Sequence, residues 1–145
     1  MKVIEILLRF FVGLVLLVTA VGKLLDNRGF SFILIRYAPF PSDWVLGLAL
    51  SISLAELVLA IWLFSGMNRK LACLAALIMH LAYLVWTTAA VERGLEIENC
   101  GCFGVFWARP PGWGTVIEDA VMVAVCSALR WIVAKPASLT MPAAN

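Results

Sequence analysis

Cys100 and Cys102, separated only by Gly101, are the residues of this 145-residue chain best placed for chemistry. The thiolate is the reactive form of cysteine, and it needs water or a polar surface to form. The pair sits in the stretch Glu92 to Gly114, the longest segment unsuited to lipid. Thiols at i and i+2 can join only if the chain bends to bring their Cα atoms within roughly 4.4–6.8 Å. Gly101 permits the unusual dihedrals that such a ring needs, and Gly104 adds freedom. A ring so small should be strained and easily reduced, which favours a redox-active pair. Two other readings stand beside it. A passive bridge would restrict almost no unfolded-chain entropy across one residue. A Cys-x-Cys pair also offers two soft metal ligands, but zinc sites usually take four and the loop has no histidine. No metal site is expected.

Two further candidates lie in apolar surroundings. Glu56 is ten positions before Gly66, and His80 is ten positions after Lys70. A hairpin turning between them puts both at similar depth, where a charged carboxylate is costly unless paired or protonated. The expectation is a Glu56–His80 hydrogen bond, serving as a proton relay, as part of a cavity, or as a polar contact that fixes helix packing. Lys23, at the end of an apolar run, is expected to snorkel toward lipid headgroups, with pairing to a loop acid as the alternative. Cys73 and Cys126 lie within apolar runs and read as small apolar residues, with a second buried pair as the alternative.

The elements that must position these residues are helices in a membrane. Hydrophobic residues make up 63% of the chain and charged ones 14%, with a mean hydropathy of +1.00. A soluble domain would carry about 25% charge. A net charge of +2 gives no reason to expect nucleic acid. Four apolar runs, Ile4 to Val21, Trp44 to Phe64, Leu71 to Val91 and Thr115 to Val133, each approach the roughly 20 residues needed to span a bilayer core. They lack the alternation of barrel strands, so the expected fold is an all-α membrane protein with a bundle of four transmembrane helices. Between the first two runs, Phe30, Ile33, Leu34 and Tyr37 recur at helical spacing among charged residues. This predicts a short interfacial helix ended by Pro39 and Pro41. Residues 65–70 form a tight turn. Residues 1–135 read as one transmembrane domain and 136–145 as a disordered tail. Met1-Lys2 followed by an apolar run is also reminiscent of a signal peptide, but Glu5 and Arg9 interrupt it, at a spacing that suits an ion pair.

Charge orients the bundle weakly. Lys2, Arg69, Lys70, Arg130 and Lys135 share one side, and Lys23, Arg28, Arg36, Arg93 and Arg109 the other. Most acidic residues gather on the second side. The lean is toward cytoplasmic termini and an external cysteine loop. Tryptophans mark the span ends, with Trp44, Trp86, Trp107 and Trp113 at one interface and Trp62 and Trp131 at the other.

The order of motifs resembles the MauE branch of the DoxX/MauE membrane proteins. The matching stretches are Gly22-Lys23-Leu24-Leu25-Asp26 through Phe30, then Tyr37 and Pro41; Ala55-Glu56-Leu57 ending in Gly66; and Arg93-Gly94 followed by Glu98-Asn99-Cys100-Gly101-Cys102-Phe103-Gly104. The resemblance covers roughly residues 5 to 133, with Asn99 standing where an acidic residue often precedes the first cysteine. It implies a bacterial inner-membrane protein tied to periplasmic thiol–disulfide traffic. Cys100 and Cys102 would then be the catalytic pair, with a thioredoxin-like protein or a disulfide-rich client as partner. By analogy with DsbB, a different four-helix membrane oxidant, a quinone is a possible electron acceptor. The alternatives are a non-enzymatic assembly factor and a carrier for a small molecule or metal.

Overall fold

The structure, a computed structural model, describes residues 2–38 and 41–135, all of them in helices, turns or loops. Five helices follow in order: α1 (Lys2–Leu25), α2 (Asn27–Tyr37), α3 (Ser42–Ser65), α4 (Arg69–Glu92) and α5 (Trp113–Ala134). The apolar runs become helices because a backbone in lipid must satisfy its hydrogen bonds within the segment. Their ends follow local chemistry. Asp26 caps α2 by accepting from the Gly29 amide at 2.8 Å. Gly66 stops α3 in the left-handed conformation, φ 69°. The expected tail, 136–145, lies outside the described residues.

Helix α1 packs on α3, and α4 on α5, with α2 laid along the first half of α3. One core holds Val12 and Leu16 of α1, Leu59 and Leu63 of α3, Cys73 and Ala76 of α4, and Cys126 and Leu129 of α5. A second seats Phe30 and Leu34 of α2 on Val45 and Ala49 of α3. The outside is as apolar as the inside. Leu7, Leu14, Val58, Ile78 and Val85 are all exposed, and only 33%, 33% and 28% of the apolar stretches of α1, α3 and α4 are buried. Lipid is the solvent that such a surface fits.

Among the described residues three helices, α1, α3 and α4, are long and apolar enough to cross a bilayer. Helix α5, expected as the fourth span, falls short of that description. Any 18-residue stretch within it includes Glu118, Asp119 and Arg130. The expected Glu5–Arg9 pair is also replaced: Glu5 accepts from Arg69 Nη1 at 2.8 Å, tying the start of α1 to the start of α4.

One feature of the α1–α3 packing sets up the site. Gly13 lies against Phe64, and Arg9 against Gly66. This register leaves the end of α1 beside the middle of α3, where Lys23 meets Glu56. Glu56 is fourteen residues, or about 21 Å, beyond Ser42 along α3. The space past the end of α1 is filled by α2 and by the cysteine loop.

Candidate functional site

The loop between α4 and α5 folds back onto the end of α1. A Cβ on Gly22 would lie 2.6 Å from the Phe103 carbonyl oxygen, so only glycine allows the loop this close. Its shape comes from backbone hydrogen bonds. The Cys100 amide donates to the Arg109 carbonyl at 2.7 Å, and the Gly104 amide to Gly101 at 3.1 Å. Gly101 takes φ 78°, a conformation costly for other residues. Asn99 serves the turn at both ends of its amide: Oδ1 accepts from the Gly101 amide at 2.9 Å, and Nδ2 donates to the Gly104 carbonyl at 3.0 Å. An aspartate could do only the first. Tyr37 of α2 donates its hydroxyl to the Cys100 carbonyl at 2.8 Å.

Within this frame the Sγ atoms of Cys100 and Cys102 lie 3.0 Å apart, as free thiols. They are already closer than a van der Waals contact. The hydrogen bond from the Cys102 thiol holds Cys100 well below the ordinary thiol range, at about 6, against the opposing effect of burial. The Arg109 guanidinium adds to the lowering. Cys102 is pushed far up, first by holding that shared proton for Cys100 and then by burial. Near neutral pH the pair is one thiolate and one thiol, with Cys100 carrying the charge. Arg109 is itself held by both oxygens of Glu118, one of them at 2.8 Å. Burial, and then the neighbouring cysteines, raise the Tyr37 phenol, which stays protonated as a donor. Cys100 is 8% exposed and Cys102 is half-buried.

Beneath the loop lies a second polar group. Lys23 Nζ donates to Glu56 Oε1 at 2.5 Å, with the two side chains 3% and 0% exposed. Tyr83 of α4 donates to the same oxygen. The Lys23 ammonium also lies 5.0 Å from the Tyr83 ring centre and 5.4 Å from that of Phe30. Glu56 Oε2 has no hydrogen-bond partner.

Two expectations are corrected here. Lys23 does not snorkel, because α1 ends too deep beside α3 and a carboxylate is within reach. Glu56 makes no hydrogen bond to His80, whose Nδ1 bonds the Ala76 carbonyl at 2.8 Å and lies 3.6 Å from Cys126 Sγ. A carbonyl only accepts, so Nδ1 carries the proton and the neutral ring has its lone pair at Nε2. Cys73 and Cys126 are buried free thiols in the core, as small apolar residues would be.

A cavity of about 470 Å³ joins the two groups, lined by Cys100, Cys102, Lys23, Glu56, Tyr83 and His80 among mostly apolar side chains. Asp119, bonded to Thr87, also lines it and keeps an unpartnered Oδ2. Among the described residues no cluster of three or more His, Cys, Asp or Glu side chains could hold a metal ion.

Sequence reasoning missed Tyr83, Asp119 and the Lys23–Glu56 pair. A signal for Tyr83 was present, since it lies one helical turn beyond His80 on the same face. For Lys23, the signal was the need of any intramembrane acid for a countercharge.

The description of methylamine utilisation protein MauE matches residues 1–132, a span that includes both polar groups and the whole loop. No curated protein and no solved structure matches the chain. A match over nearly the whole chain, on apolar helices that fit a bilayer, makes this a membrane protein of the MauE family, linked to methylamine utilisation.

Proposed function

We propose that this protein is a membrane thiol–disulfide oxidoreductase component acting through Cys100 and Cys102 on a periplasmic thioredoxin-fold or disulfide-rich partner. The observation that carries this reading is the 3.0 Å approach of two free thiols that share one proton, with Cys100 held near 6. A pair so poised gains nothing structurally from its proximity, but it is set up for exchange. A thiolate attacks a partner's disulfide, and the neighbouring thiol then resolves the mixed disulfide. Cys100, the more acidic, is the attacking sulfur in the reductive direction. In the oxidative direction a partner's thiolate attacks Cys102, because the more acidic Cys100 is then the better leaving group.

In this reading residues 1–135 form one transmembrane unit in the bacterial inner membrane. Helix α5 is the fourth span, its Glu118 and Asp119 facing the cysteine loop and cavity rather than lipid. Both termini are cytoplasmic and the loop is periplasmic. Glu56 and His80 line the route by which protons leave the pair.

The test is capture. Cys100→Ser and Cys102→Ser are expressed singly in cells, and mixed disulfides are trapped by acid quenching and alkylation. One variant should hold a thioredoxin-fold or cysteine-rich protein through its remaining thiol. If neither holds any partner while a double Ser variant still supports maturation of the client, the protein is a non-enzymatic assembly factor. The cavity favours a second reading, a carrier for a small molecule, which predicts that the double Ser variant keeps binding its cargo.

A further inference from the structure

The cavity beneath the cysteine loop extends between α3 and α4. Helix α3 packs chiefly on α1, and α4 on α5, so α3 and α4 meet only along a thin seam between the helix pairs. Ser51 and Ala55 of α3 and Ala82 and Trp86 of α4 line the cavity, and all four are exposed. Because the surface around them is apolar, that mouth faces lipid. At about 470 Å³ the space is within the range of small-molecule sites. An occupant must therefore be lipid-soluble.

The polar end defines its head. The Lys23 ammonium has N–H donors beyond the one given to Glu56, so it can meet a carbonyl oxygen. Glu56 Oε2 is buried with no donor, so it can accept from a hydroxyl. A head that presents a carbonyl in one state and a hydroxyl in the other satisfies both. Lys23 also touches the loop: a Cβ on Gly104 would lie 3.0 Å from its backbone nitrogen, and its ammonium lines the same cavity as Cys102, near enough for its charge to act on that thiol. The head would thus lie beside the sulfur pair.

We propose that the cavity binds a lipid-soluble quinone that enters between α3 and α4 and takes electrons from Cys100 and Cys102, a role that rests on the redox reading above. As the S–S bond forms and the Cys102 S–H bond breaks, the Cys100 thiolate and Cys102 thiol give two electrons to the ring. The Cys102 proton and one proton from water end on the two ring oxygens, giving the quinol. Glu56, Lys23 and Tyr83 hold the head and are positioning residues.

The test uses purified, prereduced full-length protein in detergent with decylubiquinone, following quinone absorbance and free thiols together. Oxidised glutathione, a water-soluble oxidant of the same pair, is run in parallel. The expected result is saturable oxidation consuming one quinone per pair. Ala82→Phe and Ala55→Phe, which narrow the mouth, should raise the half-saturating quinone concentration at least tenfold and leave the glutathione reaction unchanged. Tyr83→Phe should weaken quinone binding without shifting the pH profile of Cys100 alkylation. If the pair reacts with glutathione but quinone oxidation is absent or does not saturate, the quinone site is refuted and the redox reading survives. If the pair reacts with neither, both fall. Saturable binding of decylubiquinone to the wild-type protein, read directly, decides the matter should the Phe variants not fold.

Discussion

The thiol pair and the Lys23–Glu56–Tyr83 group line one cavity, and they are built in opposite ways. The sulfurs are carried on a loop shaped largely by its own backbone and by Asn99, with Tyr37 of α2 tying it down at Cys100. The charged group is carried by three helices, and its two charges cancel within a buried pair. A loop can hold reactive chemistry because its neighbours tolerate movement. A buried ion pair cannot lose a partner cheaply, since the remaining charge has nowhere to go. The lower group is thus suited to fix geometry and the upper one to react.

The largest effect should come from splitting the ion pair. Glu56→Ala or Lys23→Ala leaves a buried charge without its partner and should cost about 3–5 kcal/mol, read as a lower thermal midpoint in detergent. The double variant K23M/E56Q removes both charges and should recover most of that loss. If the single and double variants are equally unstable, the pair is not the reason for the stability of this region.

The second contrast concerns the thiols. Cys100 is a thiol below about pH 6 and a thiolate above it, so its alkylation should rise through that pH and then level off. Cys102→Ala removes the donor that holds the charge, and should move the midpoint up toward the ordinary thiol range near about 8.5. Arg109→Gln should move it in the same direction but less far, because the guanidinium is the weaker influence. Neither change should alter stability as much as splitting the ion pair. A Cys100 midpoint that ignores Cys102→Ala would remove the shared proton from the account.

Smaller effects belong to the loop backbone. Gly101→Ala places a Cβ at φ 78° and 3.1 Å from Ile33, and should cost about 1–2 kcal/mol. Asn99→Asp loses only the donor to Gly104, and should cost about 1 kcal/mol. An Asn99→Asp protein as stable as the wild type would mean that the donor to Gly104 does not hold the loop.

The sequence made the reactive end easy to find and the buried end hard. Cys100, Gly101 and Cys102 are adjacent, so their meeting needs no knowledge of packing, and the apolar runs announce their helices by length. The lower group depends on how far α1 slides along α3, which periodicity does not specify. Counting outward from the turn at Gly66 brought Glu56 level with His80, but the contact is with Tyr83, one turn further. The same slide buried Lys23, whose long side chain near a helix end would ordinarily reach lipid headgroups. Helix α5 was read as a span from its apolar residues, although its three charges keep it apart from α1, α3 and α4.

The central claim is that Cys100 and Cys102 cycle between dithiol and disulfide in the membrane. Intact-mass measurement of the protein from cells, after rapid quenching and alkylation of free thiols, tests it directly. The account predicts a population in which Cys100 and Cys102 escape alkylation as a mutual disulfide while Cys73 and Cys126 do not, and which converts to the fully alkylated form on reduction. Full alkylation of Cys100 and Cys102 under both oxidising and reducing growth would contradict it.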